Sequence, residues 1–426
     1  MPAVMSQVSW SELAEIVGQE HLRAATAEDA FDGVTPRMVA EPGTAEDLAR
    51  SLRWARGAGV KVTPRGGGTK LGWGNPPAAC DLLLSTTRLH RVLEHAWADM
   101  TVIVEAGCRV ADLQQILAKH GQQLALDPLW PEQATIGGIL STNDSGTLRV
   151  RYGSLRDLVI GITVALPDGT LAKSGGKVVK NVAGYDLAKL FTGALGTLGV
   201  IVQAIFRLHP LPRERRSLSF RGTPESLSQL LLAILASKLT PTGLQLRVAP
   251  AGAQLDVRFD GTAAGIEAQA DQVQQIAAPS LASSDAPAEI WLSHQAIWDG
   301  AAPALVAKFS VLPACFAALC ALVARAAAAR SLAWKVVVQS VGAGYLRLEG
   351  NEEALRTTLL TLRDELARTG DPKIGGTMVA LGCPVAVKRG LDVWGPPSDA
   401  QPLMVRIKQR FDPDGTLNPG RFLGGI

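Results

Sequence analysis

The sequence predicts an α+β protein with two main domains, and two observations support this. Strand-like and helix-like segments alternate along most of the 426 residues, and a chain of this length suffices for two to three domains. Glycine is concentrated between Gly57 and Gly199, whereas residues 213–400 are poorer in Gly and richer in Ala and Leu. The two regions therefore place different demands on the backbone and are interpreted as separate domains.

The first region begins with a helix that leads into a strand, over residues 44–62. Thr44 and Asp47 have the spacing of a capping box, and Leu48 and Leu52 share one helical face. An amphipathic helix is predicted from residue 110 to about residue 121. Strands are predicted at 81–86, 101–106, 160–166 and 199–208.

A Pro-Leu-Pro run at 210–212 marks the boundary of the second region, and Arg213, Arg215 and Arg216 beside it are interpreted as a solvated linker. Helices and strands alternate beyond it as two αβ sets, which favours an antiparallel sheet with helices on one face. The predicted helices lie at 225–237, 265–277, 313–330 and 352–368. The predicted strands lie at 243–248, 253–259, 335–341, 344–349 and 377–382.

Composition excludes several classes of protein. The formal net charge is +3 and no basic stripe is present, which argues against nucleic acid as a partner. The five cysteines are odd in number and form no CxxC pair, so they favour a reducing compartment and offer no iron–sulfur ligand set. No signal peptide or membrane-spanning run is recognised. A cytoplasmic protein is expected, with any membrane contact made through partners.

The first of three glycine-rich segments reads PRGGGTK at 64–70 and follows a predicted strand. Three successive glycines leave backbone N–H groups unshielded and permit positive φ, so the loop can form a nest for phosphate oxygens. Arg65 and Lys70 can add positive charge. The loop matches neither the P-loop nor the GxGxxG fingerprint, and by itself it is also typical of a flexible turn.

The second segment reads ATIGG at 134–138 and is followed by STNDSG at 141–146. Thr135 is placed to cap a helix whose first N–H groups would be free to bind an anion. The third segment reads GALGTLGVI at 193–201 and enters a strand, where glycines let a flat ligand approach the backbone. Taken alone, these two segments also fit a loop and a β-bulge.

Together the segments resemble the FAD-binding type-4 family, which is also called the vanillyl-alcohol oxidase or PCMH-type family. The resemblance rests on PRGGGTK, ATIGGILSTNDSG, YGSLRDLVIGITVALPDG, KNVAGYDLAKLFTGALGTLGVI and DPDGTLNPGRF in that order, over about residues 36–212 and 400–426. It implies a two-subdomain FAD-binding domain and an α/β cap domain with an antiparallel sheet. The implied organisation is an N-terminal helical segment at 1–35, the FAD-binding domain at 36–212, the cap at 213–400, and a C-terminal segment at 401–426 that returns to the FAD-binding domain.

In that family the glycine loop and the ATIGG turn hold the FAD pyrophosphate, while the segments after them line the flavin and its ribityl chain. Carried onto this chain, the implied FAD-binding residues are Pro64, Arg65, Gly66, Gly67, Gly68, Thr69, Lys70, Pro128, Thr135, Ile136, Gly137, Gly138, Ser141, Thr142, Asp144, Gly146, Arg149, Tyr152, Gly153, Gly196, Thr197, Gly199, Val200, Ile201 and Asn418.

The chain departs from the family pattern at positions that bear on the chemistry. Covalent members carry His or Cys in or near the glycine loop, whereas Thr69 and Trp73 stand here, so the resemblance implies noncovalent FAD. Related 2-hydroxyacid dehydrogenases read GSEGTLGI, and Leu195 replaces that Glu. They also carry an HxGDGNxH metal motif in the cap, a region where this chain has only His294. No metal site is therefore expected, and the catalytic residues are unknown.

The pattern is similar to that of the FAD-binding subunits of glycolate oxidases. It implies FAD-dependent oxidation of a small 2-hydroxy acid, glycolate, to glyoxylate, with a second FAD flavoprotein and an iron–sulfur subunit as partners. A self-sufficient flavin dehydrogenase and an FAD-bearing scaffold subunit are the alternatives. Lys177, Lys180 and Tyr185 either face the flavin or supply a helix cap and a core tyrosine.

Overall fold

The computed structural model describes residues 8–177, 186–339, 341–368 and 374–426. Lys180 and Tyr185, noted above, lie outside the described residues. Two sheets and a two-stranded ribbon occupy the chain up to residue 210, and one eight-stranded sheet occupies most of the remainder. The predicted α+β class is confirmed.

The first sheet has four strands in the order β1-β2-β4-β3, with β1 antiparallel to β2 and the other neighbours parallel. Helix α2 covers it, and the Thr44 hydroxyl caps this helix as predicted by accepting a 3.0 Å hydrogen bond from the amide of Asp47. Residues ahead of position 36 contribute strand β1 as well as helix α1. The elements are α1 (Ser11–Val17), β1 (Leu22–Ala24), β2 (Met38–Ala40), α2 (Ala45–Gly57), β3 (Val62–Arg65) and β4 (Leu82–Ser85).

The second sheet is antiparallel, in the order β5-β6-β10-β8-β9, while β7 pairs separately with β11. Helices α3, α4, α6 and α7 contribute to the core beside it. The strands are β5 (Val92–Ala96), β6 (Thr101–Glu105), β7 (Gln122–Gln123), β8 (Val159–Ala165), β9 (Leu171–Gly175), β10 (Val200–Arg207) and β11 (His209–Pro210). The helices are α3 (Val110–Ala118), α4 (Ile136–Thr142), α5 (Arg149–Tyr152), α6 (Leu155–Leu158) and α7 (Leu187–Phe191).

The third sheet, called the cap sheet below, is antiparallel throughout, and α8, α9, α11 and α12 pack on one of its faces. Its strands are β12 (Glu214–Gly222), β13 (Gly243–Ala249), β14 (Gly252–Gly261), β15 (Ala282–Asp285), β16 (Ala304–Ser310), β17 (Ala333–Gln339), β18 (Ala343–Glu349) and β19 (Thr377–Gly382). The helices are α8 (Pro224–Ala236), α9 (Ala263–Ile276), α10 (Ser293–Ala296), α11 (Phe316–Ala328), α12 (Glu352–Ala367) and α13 (Val385–Lys388).

The cap sheet is built from two copies of one motif, although the sequence shows no repeat. Each half runs strand, helix, strand, strand, helix, strand, as in a ferredoxin-like unit. The spatial order β15-β12-β14-β13-β17-β18-β16-β19 places the halves in opposite order, and they join where β13 pairs with β17. The two predicted αβ sets correspond to these halves.

The interpretation of the arginine cluster after residue 212 as a solvated linker is wrong. Residues 214–222 form β12, which pairs with both β14 and β15. Arg216 donates to Glu267 at 2.7 Å and to Asp285 at 3.0 Å. Acidic side chains on neighbouring elements therefore form ion pairs with the basic residues of this strand. The sequence alone does not suggest that a strand is present here.

The C-terminal segment returns to the first sheet after helix α14 (Gln401–Phe411). The amide of Val62 donates to the carbonyl oxygen of Thr416 at 2.8 Å, and the amide of Asn418 donates to the carbonyl oxygen of Val62 at 2.9 Å. Leu417 is thereby bridged in parallel to the start of β3. No helix in the described ranges has both the length and the apolar character needed to cross a bilayer.

The face of the cap sheet opposite α8, α9, α11 and α12 meets the preceding region, where Tyr345 and Val337 pack with Trp73 and Leu129. Lys388 forms a 2.6 Å ion pair with Asp32 across this junction and also donates to the carbonyl oxygen of Gly72. The side chains of Lys388 and Asp32 are 1% and 7% exposed, so solvent screens the pair little.

We expect Lys388→Met to lower the free energy of unfolding by about 3–5 kcal/mol, because it leaves the Asp32 carboxylate buried without its partner. Urea unfolding followed by circular dichroism measures this. The control is Arg368→Met, which removes an exposed ion pair with Glu365 and should change stability little. Equal effects of the two substitutions would contradict the interpretation.

Candidate functional site

The glycine loop at 66–68 packs against another loop at a distance that only glycine permits. A Cβ atom on Gly66 would lie 2.1 Å from the hydroxyl of Thr135, and one on Gly67 would lie 1.9 Å from the carbonyl oxygen of Gln133. Gly68 has φ +75°, which side chains disfavour. The amides of residues 66–69 donate no backbone hydrogen bond to any described residue. This loop therefore presents a row of free donors, as the nest interpretation predicts.

Helix α4 begins at the second glycine segment, and Thr135 caps it as predicted, accepting from the amide of Gly138 at 3.3 Å. The prediction of free N–H groups at this helix start is wrong. The amides of Ile136 and Gly137 already donate to the carbonyl oxygens of Cys108 and Ala106 at 2.9 and 2.7 Å. The helix is docked against the end of β6, so its first amides are used for packing.

The third glycine segment meets the C-terminal tail. The Asn418 side chain is 3% exposed and donates to the carbonyl oxygen of Leu195 at 2.6 Å. Gly196 has φ +66°, and a Cβ atom there would lie 3.3 Å from Pro64. The buried Oδ1 atom of Asn418 has no hydrogen-bond partner among the described residues. Buried acceptors are normally satisfied, so this atom indicates a ligand donor beside it.

These segments enclose a cleft of about 720 Å³. It brings together seventeen of the residues implied by the resemblance, namely Pro64, Arg65, Gly66, Gly67, Gly68, Thr69, Lys70, Thr135, Gly137, Gly138, Ser141, Thr142, Gly196, Gly199, Val200, Ile201 and Asn418. Four further lining residues were missed by sequence reasoning: Leu71, Thr86, Leu195 and Arg421. Of these, Arg421 stands within the quoted C-terminal motif, which is the one signal that could have found it.

Eight of the implied residues do not line this cleft: Pro128, Ile136, Asp144, Gly146, Arg149, Tyr152, Gly153 and Thr197. Several have structural contacts instead. Ile136 is fully buried in the core, Tyr152 packs 4.7 Å from the His209 ring, and Thr197 donates to the carbonyl oxygen of Ala194 at 2.7 Å. Lys177, from the undecided run, forms an exposed 2.5 Å ion pair with Glu94.

A buried ion pair lies at one end of the cleft. Lys70 and Asp144 are 3.1 Å apart and their side chains are 5% and 0% exposed. The Lys70 ammonium also lies 5.8 and 5.5 Å from the ring centroids of Trp73 and Trp130. The aromatic faces and the carboxylate thus hold a positive charge at the wall of the cleft.

Arg65 is held by an aspartate that sequence reasoning left out of the site. Asp29 accepts from Arg65 at 2.8 Å and from Arg23 at 2.6 Å. Its carboxylate is buried, and the hydrogen bonds from Arg23, Thr26 and Arg65 hold its pKa well below the usual range against the opposing effect of burial. The segment before residue 36 therefore positions a cation of the glycine loop.

Comparison with known proteins identifies the region that builds the cleft. Residues 36–175 match a family model described as an FAD binding domain. The glycolate oxidase subunit GlcD of Bacillus subtilis is 27% identical over 91% of this chain and 88% of its own length. The mitochondrial D-lactate dehydrogenase [cytochrome] of Arabidopsis thaliana is 27% identical over 91% of this chain and 73% of its own length.

Solved structures share the whole fold. p-Cresol methylhydroxylase with substrate bound superimposes with a TM-score of 0.76 at 13% identity, covering 96% of this chain and 95% of that one. An alkyldihydroxyacetonephosphate synthase gives a TM-score of 0.72 at 19% identity, covering 96% of this chain and 84% of that one. Residues 36–175 thus match an FAD-binding domain, and the whole chain has the PCMH-type fold. The chain is an FAD-dependent oxidoreductase.

The cleft of this PCMH-type protein suits FAD on its own geometry. Free backbone amides at 66–69 match a pyrophosphate, and the unsatisfied Oδ1 atom of Asn418 matches a donor on a cofactor. The bound FAD is noncovalent. No cluster of three or more His, Cys, Asp or Glu suited to a metal ion occurs in the described part of the chain.

We expect Gly67→Ala to weaken FAD binding at least about tenfold, because the added methyl group forces the loop away from Gln133. The ratio of flavin to protein absorbance during titration with FAD measures the change. Gly57→Ala is the matched control, since a Cβ atom at Gly57 has no atom within 4 Å. Unchanged flavin affinity in the Gly67 variant would show that the loop does not hold the cofactor.

We expect Asp29→Asn to cost about 2 kcal/mol of stability at neutral pH, through the loss of charge-assisted hydrogen bonds to Arg23 and Arg65. The folded pKa of Asp29 lies below the unfolded value of about 3.9, so the carboxylate stabilises the fold fully above that value and progressively less as the pH falls towards the folded pKa. Urea unfolding of both proteins between pH 7 and pH 3 should therefore show a difference that shrinks below about pH 4. A difference that stays constant to the lowest pH would be inconsistent with this role.

Proposed function

We propose that this chain is the FAD-binding subunit of a glycolate (2-hydroxy acid) oxidase or dehydrogenase complex. In that role it takes part in the oxidation of glycolate to glyoxylate and passes electrons from its flavin to an iron–sulfur partner. The observation that carries the proposal is the cleft built from all three glycine segments. The similarity to a relative named as a subunit of glycolate oxidase supports the substrate class and the subunit role.

The proposal places the FAD pyrophosphate between the amides of residues 66–69 and the turn at 135–138. Ser141, Thr142 and the backbone at 195–201 would then lie along the flavin, with Asn418 at its edge. The bound FAD supplies the electron acceptor, and the chain supplies binding, orientation and electrostatics. Lys70 contributes a positive charge at the wall of the cleft, and positive charge beside a flavin favours its reduced, more negative form.

The proposed partners are a second FAD flavoprotein and an iron–sulfur subunit. Its own five cysteines are all free thiols and are spread over distant parts of the fold. An electron carrier based on iron and sulfur would therefore reside in the partner. The proposed site of action is the cytoplasm, with membrane contact made through the partner subunits.

A self-sufficient dehydrogenase is the second candidate, and one group of relatives favours it. A D-2-hydroxyglutarate dehydrogenase of Xanthomonas citri pv. viticola is 35% identical over 42% of this chain and 38% of its own length. The two candidates differ in whether the isolated chain reduces its flavin with substrate.

We expect the purified chain to show a flavin absorbance spectrum and to release yellow FAD into the supernatant on acid precipitation. Glycolate should bleach the flavin only when the co-purifying proteins are present, because the chain acts with partners. Bleaching by glycolate in the isolated chain would favour the self-sufficient enzyme. A flavin that glycolate cannot reduce even in the complex would leave only the scaffold alternative.

A further inference from the structure

The cap-sheet face that meets the FAD-binding domain carries many polar side chains, and several of them are held by multiple hydrogen bonds. Asp256 is 0% exposed and accepts hydrogen bonds of 2.6–3.0 Å from Ser219, Gln245 and Arg247. Arg347 donates to a carboxylate and to two backbone carbonyl oxygens. Folded proteins leave few buried polar groups unpaired, so an unpaired group on this face calls for an explanation.

Lys308 and Tyr345 are two such groups, and they lie side by side. Lys308 on β16 is directly opposite Tyr345 on β18. Val306 precedes Lys308 by two residues and therefore lies on the same face of the sheet. Tyr345 and Val306 pack with Trp73 and Leu129 of the FAD-binding domain. Tyr345 is 2% exposed and its hydroxyl has no hydrogen-bond partner within the described residues. The half-buried Lys308 forms no hydrogen bond or ion pair with them either.

The opposite wall of this space comes largely from the FAD-binding domain. It consists of the Lys70–Asp144 ion pair and of the indole rings of Trp73 and Trp130. The Trp298 ring of the cap lies between these two indoles, with its centroid 6.1 Å from that of Trp73 and 5.1 Å from that of Trp130. The Oδ1 atom of Asp144 and the indole N–H of Trp298 are buried without partners among the described residues. We call the space bounded by these residues, Lys308 and Tyr345 the interdomain compartment.

The ion pairs around the interdomain compartment leave one lysine without a partner. Lys70 is paired with Asp144, whereas Lys308 forms no ion pair among the described residues, although Asp144 and Arg149 both act on it electrostatically. Burial lowers the pKa of Lys308, whereas the nearby Asp144 raises it. Burial also raises the pKa of Tyr345 well above 10, so its hydroxyl remains a neutral donor at physiological pH.

We propose that the interdomain compartment binds a small 2-hydroxy monocarboxylic acid, with its carboxylate on the Lys308 ammonium and the Tyr345 hydroxyl. The unpaired Lys308 beside the unpaired Tyr345 hydroxyl matches a single carboxylate, and the free acceptor on Asp144 matches one hydroxyl group. This inference rests on the proposed function and places the substrate contacts in this chain.

The test is calorimetric titration of the FAD-loaded full chain with glycolate and with glycolamide, which has the same shape but no charge. Wild type should bind glycolate at least about tenfold more tightly than glycolamide. Lys308→Met should weaken glycolate binding about tenfold, equivalent to about 1.4 kcal/mol, and abolish the preference. Tyr345→Phe, which keeps the ring, should weaken it roughly fivefold. Lys119→Met removes an exposed lysine of the chain and should match wild type.

A Lys308→Met protein that binds glycolate within twofold of wild type would overturn the inference, as would a wild type that binds glycolamide equally well or binds neither compound. Flavin content and circular dichroism of each variant establish that it is folded. Binding is read without reduction, so the two proposals fail separately. If the chain binds glycolate selectively but glycolate does not bleach the flavin in the complex, only the proposed function is refuted. If glycolate bleaches the flavin in the complex but Lys308→Met binds glycolate as wild type does, only the inference about the compartment is refuted.

Discussion

The cofactor cleft depends on one close contact, in which Gly66 and Gly67 lie against the loop at 133–135. The contact is possible because these two residues have no side chains. Added Cβ atoms would fall 2.1 and 1.9 Å from Thr135 and Gln133, so no other residue type fits without moving the backbone. The contact joins the end of a strand in the first sheet to the start of a helix packed on the second. The same backbone path leaves the amides of residues 66–69 without hydrogen-bond acceptors among the described residues. A single packing constraint therefore both unites the two subdomains and creates the anion-binding donors.

The C-terminal tail extends this arrangement to the third glycine segment. Lys408 donates to the carbonyl oxygens of Thr197 and Leu417, each at 2.8 Å, and to Asp412 at 2.6 Å. Asn418 then reaches the backbone of Leu195 from the strand-like segment beside β3. Because the tail follows the cap sheet in the chain, its docking on both subdomains also restrains the cap. The cap is in this way held over the cleft by covalent connection as well as by packing.

The sequence predicted those elements whose signals are local. The helix predicted at 352–368 is observed at Glu352–Ala367, and the strand predicted at 377–382 is observed at the same residues. Strand β12 was missed because its Arg-rich start is stabilised by acidic groups far away in sequence. The first amides of α4 were thought to be free because their acceptors lie on another strand, which no pattern within the segment can reveal.

The same distinction explains which parts of the site could be predicted. The proposed phosphate contacts use backbone amides, and the glycines that expose these amides lie in short, distinctive runs that the sequence shows directly. Side chains such as Asp29, Lys308 and Tyr345 acquire a role only through tertiary pairing or cross-strand register. Lys308 alternates with the buried Ala307 and Phe309, a pattern typical of a residue on the solvent face of a strand, yet the pairing of β16 with β18 sets it beside a buried tyrosine. The proposed substrate contacts therefore depend on tertiary structure that the sequence alone does not display.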